Sequence, residues 1–145
     1  MMSELVRELK LQNAYEKLFK GLESDTYADY SFIFGDLNYR INSTYMYLSR
    51  HLEECKDMNT EQLTIAMHNG YYPGYVEPTM DWMPTYKLSF TDNSYVDKKD
   101  QAPSYTDRIL FRNNTTQKVD LKYSCLYNVI GSDHRPVVMD LVFKG

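Results

Sequence analysis

Phe32-Ile33-Phe34-Gly35-Asp36-Leu37-Asn38-Tyr39-Arg40 is the stretch on which the reading of this chain turns. Three large apolar residues run into a glycine. A carboxylate, an amide and a guanidinium then follow at alternate positions. The apolar run fits a central strand. Gly35 gives the backbone a freedom that other residues lack, as a strand-ending turn requires. In an extended continuation Asp36, Asn38 and Arg40 share one side, so a base, a neutral hydrogen-bonding group and a cation converge.

Two later stretches complete the pattern. In Pro103-Ser104-Tyr105-Thr106-Asp107-Arg108-Ile109-Leu110-Phe111 polar residues lead into an apolar strand, the reverse polarity of the first. Gly131-Ser132-Asp133-His134-Arg135-Pro136 is a third polar turn, followed by a β-branched strand from Val137 to Phe143. Between and around them the pattern predicts helices and loops. An amphipathic helix is expected over 5–22, with Leu5, Leu9, Tyr15, Leu18 and Leu22 in its stripe. Asn42-Ser43 can cap a helix through Leu52, and Thr60 one through Met67 that Asn69-Gly70 ends. Tyr71-Tyr72-Pro73-Gly74 reads as loop, 85–90 as a strand, 91–102 as a surface loop and 119–129 as a strand pair or edge segment. Helix, strand, helices and then several strands give an α/β (α+β) class.

The 145 residues suit one domain, and 43% hydrophobic content with 25% charge is globular. Met1–Lys10 is too charged for a secretion signal, and no run is long enough to cross a bilayer. Cys55 and Cys125 lie far apart without metal spacing, so two free thiols in a reducing, cytoplasmic compartment are expected. A net charge of −4 argues against a nucleic-acid partner, which wants a basic face, while leaving room for a small anionic substrate. His51 and His68 fall on helical segments and read as surface residues.

Three strand-end turns carrying Asp36, Asn38, Asp107, Asp133 and His134 suit phosphate-ester hydrolysis. That reaction needs a base for water, a divalent cation, donors for the phosphoryl oxygens and support for the departing alkoxide. Asp36 can be the base, helped by Asn38. Asp133 is a hard oxygen donor suited to Mg²⁺. His134 can donate to the phosphate, with Asp107 holding its ring. Arg40 and Arg108 are candidate cations for substrate phosphates.

Gly35-Asp36-Leu37-Asn38-Tyr39-Arg40, Pro103–Leu110 and Ser132-Asp133-His134-Arg135-Pro136-Val137 resemble the signature motifs of inositol polyphosphate 5-phosphatases, of the endonuclease/exonuclease/phosphatase superfamily. Glu61-Gln62-Leu63 and Pro84-Thr85-Tyr86-Lys87 fall between them in matching order. The resemblance implies a four-layer α/β/β/α sandwich with catalytic loops at one edge of two packed sheets. It implies the same roles for Asp36, Asn38, Asp107, Asp133 and His134, with Mg²⁺ as cofactor. Tyr86, Lys87 and Lys99 match positions that contact a 4-phosphate, so an inositol phosphate or phosphoinositide head group is the implied partner, with peripheral membrane contact through it. The family often has a basic residue where Gln101 stands, and Asp100 beside it carries the opposite sign.

Family domains are longer, and their first half carries the glutamate that is the main Mg²⁺ ligand. Glu4, Glu8 and Glu16 are on the expected helix and do not match it. Residues 1–145 are therefore expected to be the C-terminal portion of one catalytic domain, needing its N-terminal half or a partner for a complete fold. The competing expectations are an inactive relative serving as an anion-binding module, and a nuclease of the same superfamily.

Overall fold

The computed structural model describes residues 28–145 and, apart from them, Asn13. The helix expected over 5–22 lies outside the described residues. Strand β1 (Tyr30–Asp36) pairs antiparallel with β2 (Asp107–Asn113), and β3 (Lys118–Cys125) with β4 (Val137–Lys144). Between β1 and β2 run two short helices, α1 (Tyr45–Leu48) and α2 (Gln62–His68), with 3₁₀ turns at Leu52–Lys56 and Met58–Thr60. The fold is mixed α/β, with few helices.

The β1–β2 register runs from Tyr30 opposite Asn113 to Asp36 opposite Asp107, so two of the candidate carboxylates close the same ladder. Strand β1 alternates: Ser31 and Ile33 are buried, while Phe32 and Phe34 are 43% and 72% exposed. Among the described residues β1 has one strand partner and one covered face. The strand ends at Asp36 in the expected turn, where Asn38 takes φ +60°. Asparagine tolerates that left-handed conformation, and the Asn38 N–H donates to Asp36 Oδ1 at 3.0 Å.

Two apolar clusters carry the packing. One gathers Ile41, Leu48, Cys55, Met80, Trp82, Ala102, Tyr105 and Tyr123. The other gathers Ile33, Tyr39, Leu63, Tyr72, Tyr75 and Leu110. Leu110 of β2 and Ile33 of β1 stand opposite each other in the ladder and share the second cluster. Both cysteines are free thiols, and burial pushes Cys55 up to about 11, well above its ordinary range.

Several expected boundaries shift for local reasons. Ile41 is held extended by a bridge to Glu61, so α1 begins later, capped by Thr44, whose Oγ1 accepts from Tyr47 N–H at 3.1 Å. Helix α2 is capped by Glu61, not Thr60: its carboxylate accepts from Leu63 N–H at 3.1 Å and Thr64 N–H at 2.9 Å. No strand forms over 85–90. Tyr86 bridges to Ser104 and Leu88 to Tyr95, so the segment changes partner within two residues and no ladder propagates. The segment expected at 119–129 is β3 alone, paired with the expected final strand.

Candidate active site

Asp107 opens β2 and Asp36 closes β1, and the turn after β3 brings His134 beside both. His134 Nδ1 lies 2.9 and 3.1 Å from the two oxygens of Asp107. A carboxylate only accepts, so Nδ1 carries the proton and Nε2 is left facing the site. Nε2 stands 3.8 Å from Asp36 Oδ2. Two hydroxyls hold Asp107 in turn: Thr85 Oγ1 donates to Oδ2 at 2.6 Å and Thr106 Oγ1 at 3.0 Å. The imidazole is thus tethered through one nitrogen to a carboxylate that is itself fixed by two threonines.

Asp36, Asn38 and Arg40 do converge, by a different route from extended alternation. Asn38 reaches back to Asp36 through its backbone, and Arg40 Nη2 donates to Asn38 Oδ1 at 3.2 Å. The Arg40 guanidinium lies 5.1 Å from the centre of the Tyr86 ring, a cation–π distance. Tyr86 stacks on His134 with centroids 4.4 Å apart. Lys98 Nζ donates to the Tyr86 hydroxyl at 3.3 Å. Lys87 follows Tyr86 and is half-buried. Lys99 is exposed and sits with Asp100 in two consecutive left-handed residues, φ +53° and +55°. That turn sends the Asp100 carboxylate to α1, where Oδ1 accepts from Met46 N–H at 3.0 Å. Its negative charge is thereby engaged at α1. Gln101 is exposed and bridges to Thr44.

One assignment is corrected. Arg108 is 1% exposed and faces inward. Its Nε and Nη2 donate to the two oxygens of Glu77, both at 2.7 Å, and Nη1 pairs with Glu61 at 2.9 Å. Burial alone would lower its pKa, but the hydrogen bonds and charges of Glu77 and Glu61 outweigh that and raise it. Arg108 therefore ties α2 and the 77 loop to β2 and presents no guanidinium to a substrate. Asp133, expected as a metal ligand, is not in the cluster formed by Asp36, Asp107 and His134, whose ligating atoms lie within 4.8 Å of one another. Its carbonyl accepts from Leu88 N–H at 2.8 Å, which seats the His134 turn.

That cluster does not by itself fit a resident divalent cation. Hard cations of this kind are held mainly by several oxygen atoms. Both Asp107 oxygens are already taken up by His134 and the two threonines, and the His134 nitrogen that remains is a poor partner for Mg²⁺. Of the four carboxylate oxygens of Asp36 and Asp107, Asp36 Oδ2 alone accepts no hydrogen bond among the described residues.

The site borders a cleft of about 320 Å³ whose lining includes Asp36, Asp107, Ser132 and His134 and the apolar Phe34, Ile109, Val129, Ile130 and Val137. Residue types alone did not single out Thr85, Thr106, Lys98, Glu77 or Arg135. Arg135 is 1% exposed, and its guanidinium donates to the carbonyls of Ser89, Asp92 and Ser132 and to Asn93 Oδ1, binding the 89–93 turn to the His134 turn. The Thr85 signal was present, since it lies in the Pro84-Thr85-Tyr86-Lys87 segment.

Residues 2–140 match the Endonuclease/Exonuclease/phosphatase family 2. Type IV inositol polyphosphate 5-phosphatase 11 of Arabidopsis thaliana is 34% identical over 119 residues, which is 76% of this chain and 36% of that protein. Among solved structures, the inositol polyphosphate 5-phosphatase domain of a synaptojanin, in complex with inositol (1,4)-bisphosphate and calcium, matches with a TM-score of 0.63 at 31% identity. That match covers 82% of this chain and 37% of the other. A Cimex nitrophorin in a ferrous NO complex matches with a TM-score of 0.66 at 29% identity, over 78% of this chain and 41% of that one. The chain thus spans less than half of each of these relatives. The chain belongs to the endonuclease/exonuclease/phosphatase superfamily, and its sequence is similar to the inositol polyphosphate 5-phosphatases.

Proposed function

We propose that these residues form the C-terminal portion of a Mg²⁺-dependent phosphatase that removes the 5-phosphate of inositol polyphosphates or phosphoinositides. The observation that carries the reading is His134 held between Asp107 at 2.9 Å and Asp36 at 3.8 Å. Asp36 takes the proton of the attacking water, with Asn38 holding that water and a phosphoryl oxygen. His134 donates to the phosphoryl group, and Asp107 supports the charge it carries. Arg40, Tyr86, Lys87 and Lys98 or Lys99 face a second phosphate of the head group.

A divalent cation would offset charge on the phosphoryl oxygens, and Asp36 would need further carboxylate ligands from outside residues 28–145 to hold it. The same reading gives the apolar wall of Phe34, Val129 and Ile130 an occupant: the portion of the family domain that this chain does not match. Those side chains are 72%, 49% and 52% exposed, and burying them is the favourable term. A cytoplasmic enzyme visiting membranes through its substrate fits this scheme.

The 145 residues alone are expected to release little phosphate from inositol 1,4,5-trisphosphate with Mg²⁺. A chimera carrying them in place of the matched segment of the Arabidopsis protein is expected to release it, and His134→Ala or Asp36→Asn to cut turnover by orders of magnitude. Near-normal turnover in either variant would sink these roles, and robust release by the 145 residues alone would refute the need for a further portion. A second reading is an inactive relative serving as an anion-binding or interaction module. The nitrophorin match favours it, because a likeness of the same extent reaches a protein with a different name and ligand. An inert chimera that still binds the trisphosphate would support it.

A further inference from the structure

A hydrogen bond at Nδ1 fixes one point of the His134 ring, yet leaves the ring free to swing about the Nδ1···carboxylate axis. Nε2, which faces Asp36, moves with that swing. What removes the freedom is a contact on the flat of the ring, and Tyr86 supplies one: the two rings stack with centroids 4.4 Å apart and planes 27° from parallel. We propose that Tyr86 is a positioning residue for His134, and that it acts through its ring face rather than its hydroxyl. The inference rests on the phosphatase reading for the role of His134, though its geometry does not.

Three further contacts keep the two rings in register. The Thr85 carbonyl accepts from Arg135 N–H at 3.1 Å, and Leu88 N–H donates to the Asp133 carbonyl at 2.8 Å. The backbone on each side of Tyr86 is therefore fastened to the backbone on each side of His134. Thr85 also holds Asp107 through its hydroxyl at 2.6 Å. Residues 85–88 thus act as one plate that seats the histidine, its carboxylate and its ring plane together. Tyr86 is 8% exposed, so its ring has little room to move. The hydroxyl does other work: it accepts from Lys98 Nζ at 3.3 Å, at the edge that faces the loop. Ring and hydroxyl are therefore separable by substitution.

The test compares Tyr86→Phe, which keeps the ring, with Tyr86→Leu and Tyr86→Met, which remove it. In the 145-residue chain the readout is the His134 Nδ1–H proton resonance, with the amide spectrum as the control for folding. The resonance is expected to persist in wild type and Tyr86→Phe, and to broaden away in whichever ring-less variant keeps the native amide spectrum. In the chimera described above, kcat is expected to fall about tenfold without the ring. For Tyr86→Phe, which also loses the hydroxyl that faces the head group, KM is expected to rise and kcat to fall less than in the ring-less variants. An unchanged Nδ1–H resonance in a folded ring-less variant overturns the proposal, as does its loss in Tyr86→Phe. A chimera that releases no phosphate refutes the phosphatase reading, while the resonance still decides the positioning.

Discussion

Replacing Arg108 by methionine separates a structural guanidinium from a substrate-binding one. The wild-type side chain makes two 2.7 Å bonds to Glu77, a 2.9 Å pair with Glu61 and a 3.2 Å bond to the Tyr105 carbonyl, with no side-chain exposure. Methionine fills much of the volume but leaves two buried carboxylates facing each other. Glu61 keeps the N–H groups of α2 and the Thr64 hydroxyl, and Glu77 keeps the Tyr123 hydroxyl. Breaking a buried pair from one side costs about 3–5 kcal/mol. For a chain of this size that corresponds to a melting temperature lower by roughly 10–15 °C. Arg108→Lys restores a point charge without the fork that Glu77 accepts, and is expected to lose about half as much. The assay is urea denaturation, read as a lower midpoint at constant slope. A loss below about 1 kcal/mol, beside weakened binding of an inositol phosphate, would refute the assignment and return Arg108 to the substrate.

Thr85→Val removes the 2.6 Å donor to Asp107 at nearly constant volume, and turnover of the chimera is expected to drop about tenfold; unchanged turnover would mean that Thr106 suffices. Lys98→Ala is expected to weaken binding of substrates with a second phosphate more than Lys99→Ala does, because Lys98 Nζ reaches the Tyr86 hydroxyl at 3.3 Å; calorimetric titration with inositol phosphates ranks the two. Stability is expected to fall as pH rises from 9 to 11. The Cys55 thiol is pushed up to about 11 by burial, so the unfolded thiol ionises first and the folded one resists. The stabilisation is full below the unfolded value and is lost on passing through the folded one. For Cys55 the change amounts to about 2–3 kcal/mol across that window, and Cys55→Ala should remove it from a chemical-denaturation pH series.

The site was legible because strand polarity is written in the sequence. Apolar residues running into Gly35-Asp36, and polar residues running into Asp107, place carboxylates at adjacent ends of two strands, and the pairing then follows. Arg108 shows what such motif matching omits. Neighbouring residues in a strand point to opposite faces, so an Asp107 aimed at the site commits Arg108 to the other side. Period-two reasoning on β2 contained that answer, but its acidic partners Glu61 and Glu77 are distant in sequence. Lys99 was chosen by its match to a family position, and the hydrogen bond that brings Lys98 to the Tyr86 hydroxyl depends on a left-handed pair at 99 and 100 that lysine and aspartate do not signal. The missing 85–90 strand failed similarly: alternation of Thr85 to Phe90 is compatible with a ladder, but the available partners change from Ser104 to Tyr95. The exposed faces of Phe32 and Phe34 read as core because their residue types are core types, and only packing assigns which face is covered.

The pairing of Asp36 with Asp107 has a consequence for how this chain can vary. Because both carboxylates terminate one ladder, gaining or losing a single residue inside 30–36 or 107–113 sets Asp36 opposite Thr106 or Arg108 and turns half the strand inside out. Length change in those two segments therefore separates the two carboxylates and uncovers the buried side chains Ile33 and Leu110 in one step. The loops at 69–75 and 91–97 give no relief, because Tyr72 and Tyr75 are core residues and Arg135 holds Asp92 and Asn93. The two carboxylates are expected to travel through variation as one inherited unit of spacing.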